Sequence, residues 1–174
     1  MQFESKSTPC MIPLESGGEI NPDAVLLYSG GIDSTVLLYD LIDQGLTPLC
    51  LGFDYGQRHA GNEFNAAREI TRAVGLPFVS TQLDRIPCGL TSGGDLVDPV
   101  VPGRNAIFMS HAASVAGSID VHKVYIGINA TDRLMFPDCR PYFLLNLYRA
   151  FSTAYDVEIL APYSNLTKSE IGER

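Results

Sequence analysis

No apolar run in this chain approaches the roughly 20 consecutive residues that a membrane-spanning helix needs, so no such helix is expected. The opening stretch, Met1 to Asn21, has Lys6 but no apolar segment behind it. A secretory leader is therefore not expected, and the cytoplasm is the expected compartment. Cysteine is scarce: Cys10, Cys50, Cys88 and Cys139 include no C-x-x-C pair. Their spacing gives no support to a zinc site, and a disulfide framework is not expected at this domain size without a secretion signal. Basic residues are outnumbered, 12 Lys and Arg against 20 Asp and Glu, for a formal net charge of −8. That balance argues against broad nucleic-acid binding, which needs a net-basic face, yet leaves room for a small basic pocket. Two phosphate fingerprints are also missing. There is no G-x-x-x-x-G-K-[ST], so no Walker loop, and no G-x-G-x-x-G, so no dinucleotide motif. No internal repeat is visible.

What remains is a chain of 174 residues, 45% hydrophobic and 18% charged, which fits one globular domain. Residues 1–22 are rich in Ser, Pro, Glu and Gly without a period and read as a flexible N-terminal arm. The domain is expected over residues 23–174. Ala24-Val25-Leu26-Leu27-Tyr28 is a short apolar run ending at two glycines, the pattern of a buried strand. Helical spacing follows over Ser34 to Gln44, closed by Gly45. Pro48 to Phe53 and Leu76 to Leu83 read as strands around a helix from Gly61 to Val74. Cys50, inside an apolar run, is a core residue on this reading. The Gly- and Pro-rich segment Asp84 to Arg104 is a long loop, of the kind usually tied to function. Asn105 to Ser118 reads as a helix with Asn105 as N-cap. Lys123 to Ile128 is a strand, Asn129 to Pro141 a loop, Tyr142 to Thr153 a helix and Val157 to Leu160 a strand. Thr167 opens a last helix with Glu170 three residues on, a capping-box pair. This alternation predicts an α/β fold, a doubly wound, mostly parallel five-stranded sheet with helices on both faces. Ligands in such sheets bind beyond the carboxyl ends of the strands.

The first loop with chemistry is Ser29-Gly30-Gly31-Ile32-Asp33-Ser34, between the first strand and its helix. Two glycines allow a tight turn with exposed N–H groups. Two serines add hydroxyls, and the helix N-terminus adds positive potential, a combination suited to pyrophosphate. Asp33 reads as an orienter of backbone N–H groups or as a magnesium ligand. The bland alternative is an ordinary strand-to-helix turn with a serine cap.

The hexapeptide resembles the S-G-G-x-D-S signature of the PP-loop ATP pyrophosphatases, which cleave ATP between its α and β phosphates and adenylate a substrate. Four further segments narrow the resemblance: Phe53-Asp54-Tyr55-Gly56-Gln57-Arg58-His59, Val101-Pro102-Gly103-Arg104-Asn105, Phe136-Pro137-Asp138-Cys139-Arg140-Pro141 and Leu166-Thr167-Lys168. With Gly127 to Asp132, their order is similar to that of the 7-cyano-7-deazaguanine synthase family, from about Ala24 onward. The resemblance implies ATP and Mg²⁺ as cofactors. It implies conversion of 7-carboxy-7-deazaguanine and ammonia to 7-cyano-7-deazaguanine through adenylated intermediates. A homodimer is implied as well, with no membrane and no direct nucleic-acid partner. Zinc is expected in the family, in a Cys-rich segment following the lysine loop, but its ligands have no counterparts in this chain. Arg133-Leu134-Met135 also departs from the small, Gly-containing segment usual at that point.

Residue by residue, the resemblance assigns Ser29, Gly30, Gly31, Asp33 and Ser34 to the pyrophosphate. Tyr28 and Phe53, at strand ends, flank the nucleoside or simply pack the core. Asp33, Arg104 and Lys168 are the expected catalytic residues. Arg58, His59, Asn105, Asn129, Asp132, Asp138 and Arg140 are the expected substrate contacts, Asp132 because a carboxylate accepts paired N–H bonds from a guanine-like ring. His111 and His122 are expected to be structural. Two other readings stay open: a PP-loop enzyme adenylating a protein or nucleobase substrate, and a catalytically impaired nucleotide-binding subunit.

Overall fold

A computed structural model describes residues 10–55, 60–83 and 101–174. Five strands form one parallel sheet: β3 (Ala24–Leu27), β4 (Pro48–Asp54), β5 (Phe78–Gln82), β6 (Lys123–Ile126) and β7 (Glu158–Leu160), in the order β5-β4-β3-β6-β7. Leu26 of the central strand pairs with Cys50 on one side and Tyr125 on the other. Successive side chains of a strand point to opposite faces. Val25 and Leu27 accordingly enter one core with Leu49, Leu51, Phe53, Val124 and Ile126, while Ala24, Leu26 and Tyr28 enter the other with Cys50 and Tyr125. Both faces of β3 are buried, which is why its sequence is continuously apolar rather than alternating.

Helices cover each face. α3 (Arg104–Ser118) packs Met109, Ala112, Ala113 and Ala116 into the first core, with Phe143, Leu144, Leu147 and Phe151 of α5 (Pro141–Tyr155) against it. α1 (Ile32–Asp43), α2 (Ala60–Ala73) and α6 (Lys168–Gly172) close the second core through Leu37, Leu38, Leu41, Ala67 and Ile171. The expected doubly wound α/β architecture is therefore the observed one. α1 stops where Gly45 takes φ +81°, a left-handed conformation that closes the helix as Leu46 N–H donates to the Leu41 carbonyl at 2.9 Å. Cys50 is fully buried, as its apolar surroundings imply.

Several boundaries differ from expectation. α1 begins at Ile32, inside the glycine turn, rather than at Ser34. α3 begins at Arg104 with Gly103 as its N-cap, so Asn105 lies within the first turn and is not the cap. The segment expected as a plain loop after β6 contains a one-turn helix, α4 (Asp132–Met135), and a 3₁₀ turn over Pro137–Cys139. In the stretch expected as a loose arm, β1 (Ile12–Pro13) and β2 (Glu19–Ile20) pair antiparallel, with Ile20 packed on the second core. Among the described residues no helix is long and apolar enough to cross a membrane.

Strand order reverses direction between β3 and β6. β3 leads outward through β4 to β5, and the chain then returns to β6 on the far side of β3. The crevice beyond the carboxyl ends of these two strands is where an open parallel sheet binds its ligand.

Candidate active site

The turn after β3 is built by its own hydroxyls. Gly31 N–H donates to Ser29 Oγ at 3.2 Å, Ser34 Oγ donates to the Gly31 carbonyl at 3.0 Å, and the two serine oxygens lie 3.2 Å apart. Gly31 is the N-cap of α1, and no side chain caps that helix. An uncapped N-terminus leaves first-turn N–H groups and positive potential for an anion. Gly30 is at φ +77°, and a Cβ there would sit 2.8 Å from the Glu63 carbonyl and 3.3 Å from Ala67 N. Only a glycine lets α2 press against this turn.

The loop after β6 meets it. A Cβ on Gly127 would lie 3.3 Å from Ser34 N, so the two strand ends touch backbone to backbone. Asn129 is fully buried, and its Nδ2 donates to Asp33 Oδ2 at 2.8 Å. Its Oδ1 accepts from Thr131 N–H at 2.8 Å and Asp132 N–H at 3.0 Å. The Asn129 N–H in turn donates to Asp132 Oδ2 at 3.1 Å. Asn129 was expected to read a substrate edge. Instead both acceptor positions of its amide and one donor are spent inside the protein, fastening the Asp33 carboxylate to the neighbouring loop. Asp132 is half-buried and lines the cavity.

The third wall comes from the start of α3. Arg104 Nη1 donates to Tyr55 Oη at 3.3 Å, and its guanidinium lies 5.6 Å from the Tyr55 ring and 6.0 Å from the Phe136 ring. Cation–π contact on two sides holds the charge at the cavity edge. Asn105 N–H donates to Asp138 Oδ2 at 3.0 Å, and its Nδ2 donates to Cys139 Sγ at 3.1 Å. Asp138 is 8% exposed and satisfies a first-turn N–H of α3, the work of an N-cap done by a residue distant in sequence. Asp138 and Asn105, both expected on substrate, are paired with each other's segment because α3 offers an N–H that its own cap, Gly103, cannot satisfy. Arg140 is exposed at the N-cap of α5 and is not among the cavity-lining residues. Burial, and after it the carboxylates of Asp138 and Asp132, push the Cys139 thiol up to about 12.

An aromatic surface completes the cavity. Phe53 stacks on Phe108 with ring centroids 4.5 Å apart and planes 8° apart, and Tyr55 tilts against Phe108 at 5.5 Å. The edge of His111 rests on Phe53 at 5.4 Å, a packing role, while His122 sits at the surface by Asp156. Tyr28 lines the cavity and also packs in the second core, 1% exposed, with its hydroxyl 3.2 Å from Thr35 Oγ1. Lys168, first residue of α6, lines the cavity opposite. The open cleft has a volume of about 640 Å³ and brings together Ser29, Gly31, Asp33, Ser34, Phe53, Arg104, Asn105, Asp132 and Lys168. Arg58 and His59 lie outside the described residues. Sequence reasoning passed over Tyr55, Phe108 and Phe136 as site residues. Phe108 had a signal: it stands four residues after Arg104, on the same helix face.

The strand order, with an S-G-G-I-D-S turn at its reversal point, defines the PP-loop ATP pyrophosphatase class of fold. Solved structures share it: the tRNA thiolase NcsA of Methanococcus maripaludis aligns over 88% of this chain and 55% of its own, at TM-score 0.61 and 15% identity. The NMN synthetase of Francisella tularensis aligns over 87% and 59%, at TM-score 0.53 and 19% identity. Within that class the chain belongs to the family described as queuosine biosynthesis protein QueC, whose family model matches residues 23–174. The 7-cyano-7-deazaguanine synthase of Leptospira interrogans is 36% identical over 172 residues, covering 87% of this chain and 71% of that protein. The synthase of the same name from Psychromonas ingrahamii is 37% identical over 166 residues, covering 84% and 74%. That of Methanoregula boonei is 35% identical over 168 residues, covering 87% and 77%.

Proposed function

We propose that the chain is a carbon–nitrogen ligase that converts 7-carboxy-7-deazaguanine and ammonia to 7-cyano-7-deazaguanine, with ATP cleaved to AMP and diphosphate. One observation carries the reading: an uncapped helix N-terminus, with its aspartate pinned by Asn129, opens at the strand-order reversal into a cavity that has an aromatic wall and a guanidinium. The β and γ phosphates rest on the Ser29–Ser34 turn, where N–H groups and hydroxyls replace their hydration. Lys168 and Arg104 supply positive charge on either side of the α-phosphate, where charge grows during transfer. The flat deazapurine lies against the Tyr55 and Phe108 rings, with its carboxylate toward Arg104, and the unused oxygen of Asp132 accepts ring-edge N–H groups.

The chemistry is two adenylations. A carboxylate oxygen attacks the α-phosphorus and diphosphate leaves. Ammonia then adds to the acyl carbon, and AMP and a proton depart to give the amide. The amide oxygen attacks a second ATP in the same way, and loss of AMP and protons leaves the C≡N bond. A carboxylate is a poor electrophile and an amide a poorer one, so each oxygen is first converted into a leaving group. The protein's work is to hold the partners in line and neutralise charge.

Magnesium fits this donor set. It is commonly held by one or two carboxylates together with substrate phosphates, and Asp33 keeps one carboxylate oxygen clear of Asn129. Among the described residues no group of three or more His, Cys, Asp or Glu would enclose a metal on its own.

The test is incubation with ATP, magnesium, ammonium and 7-carboxy-7-deazaguanine, with AMP and products followed by mass spectrometry. Formation of the nitrile with AMP is the expected result. AMP without nitrile points instead to a PP-loop enzyme with another acceptor, and nucleotide binding without turnover to a regulatory subunit.

A further inference from the structure

Lys168 is the first residue of α6, Lys168–Gly172, and lines the cavity from there. Its place in the cavity is therefore set by what anchors α6. Three anchors are visible. Ile171 is fully buried in the core that α1 closes. Leu166 N–H donates to the Tyr163 carbonyl at 2.8 Å while the Leu166 carbonyl accepts Ala130 N–H at 2.7 Å, tying the approach to the loop after β6. The third is charged: Tyr163 Oη donates to Asp40 Oδ2 at 2.5 Å, and Arg174 Nη1 donates to the same oxygen at 2.9 Å. The Arg174 guanidinium also lies 5.5 Å above the Tyr163 ring. Tyr163 is 1% exposed, and burial together with the Asp40 hydrogen bond pushes its phenol well above the usual range.

Asp40 sits on α1, seven residues after Asp33, about two turns and 10 Å along the axis. The segment that carries Lys168 is thus gripped from both ends, at Tyr163 and at Arg174, by the same rigid helix whose N-terminus forms the phosphate turn. We propose that the Tyr163–Asp40–Arg174 cluster is a positioning device that sets the distance of Lys168 from the phosphate turn, and that Tyr163 and Asp40 are positioning residues for adenylation. This rests on the reading of Lys168 as a phosphate-side charge. A charged acceptor makes such hydrogen bonds short and directional, which suits a spacer better than apolar packing alone. Small displacements of a charge from a transferring phosphoryl group are expensive in rate.

Tyr163→Phe removes one hydroxyl and keeps the ring that packs under Arg174. Diphosphate release in the full chain, with saturating ATP, magnesium and carboxylate substrate, is the readout, with melting temperature followed alongside. Lys168→Ala is expected to lower kcat about 100-fold and Tyr163→Phe about 10-fold, with KM for the carboxylate substrate unchanged. The decisive measurement is the double variant, expected to be no slower than Lys168→Ala, because a spacer has no effect once the group it places is gone. Rates that multiply instead would overturn the proposal and leave the cluster a stability element. Should Tyr163→Phe fold poorly, Asp40→Asn, which keeps an acceptor but loses the charge, runs through the same cycle with the same two outcomes. A normal rate for Lys168→Ala would end the phosphate-side reading itself and the spacer with it, a failure distinct from multiplying rates.

Discussion

At the scale of single residues, the site is shaped by polar side chains that serve one another. Asn129 is the clearest case. Its partner Asp33 is 96 residues earlier in the chain, and the bond between them joins the Ser29–Ser34 turn to the loop that carries Asp132. Asn129→Ala strips Asp33 of its donor and orphans two partly buried backbone N–H groups, those of Thr131 and Asp132. The expected cost is about 2 kcal/mol of stability, within the usual 1–3 kcal/mol for a buried group left unsatisfied, and denaturant unfolding measures it. Adenylation is expected to fall more than about tenfold, since a loosened Asp33 no longer orients the turn. A variant of normal rate but reduced stability would restrict Asn129 to a structural tie. Nothing local in Ile128-Asn129-Ala130 reveals this partnership, which is why a substrate role was the natural reading.

At the scale of elements, two helix starts control the geometry. At α1, Gly30 holds φ +77° with the Glu63 carbonyl 2.8 Å from where a Cβ would stand. Gly30→Ala is expected to cost about 1–3 kcal/mol from the backbone conformation alone, and to weaken nucleotide binding as α2 is pushed off the turn. Calorimetric titration with a non-hydrolysable ATP analogue checks it; unchanged affinity would remove the turn from the phosphate site. At α6, the capping box is complete: Thr167 N–H donates to Glu170 Oε2 at 2.7 Å, and Glu170 N–H donates to Thr167 Oγ1 at 3.3 Å. The Thr167 N–H bond first, and after it the bond that Thr167 Oγ1 donates to the same Oε2 at 2.8 Å, hold the Glu170 carboxyl below its ordinary value. The sign follows: the cap's contribution is present above the ordinary carboxylate range and fades as pH falls through the lowered value. Glu170→Gln keeps the reach without the charge, so this acid-side loss should vanish from its stability profile. The pair was legible in the sequence because both partners lie within four residues. The Asp138 cap of α3 was not, because its donor, Asn105, is 33 residues away.

For the molecule as a whole, the doubly wound sheet buries both faces of its central strand, and with them Cys50 and Cys139. Cys139, with its thiol pushed up to about 12 from an ordinary 9.0, stays protonated in the folded state over a range where the unfolded chain ionises. Between those values the unfolded state binds fewer protons, so stability falls as pH rises from about 9 toward 12. Cys139→Ala should flatten that alkaline decline, as urea midpoints across the window would record. The same shift makes Cys139 a poor nucleophile near neutrality despite its place in the cavity wall, so alkylation of the native protein is expected to modify Cys10 before Cys139.

The sequence by itself determined the alternation of strands and helices, the parallel crossovers that follow from it, and the gathering of motif loops at one end of the sheet. These depend on apolar period, on glycine at helix ends and on chain handedness, all properties of neighbouring residues. The tertiary structure alone decided which of the gathered polar groups remain open to a ligand. Asp33, Arg104, Asp132 and Lys168 reach the cavity; Asn129 and Asp138 are occupied by partners across the fold. A hydrogen bond is won by whichever group stands within about 3 Å, and that distance exists only after the strands have been brought side by side.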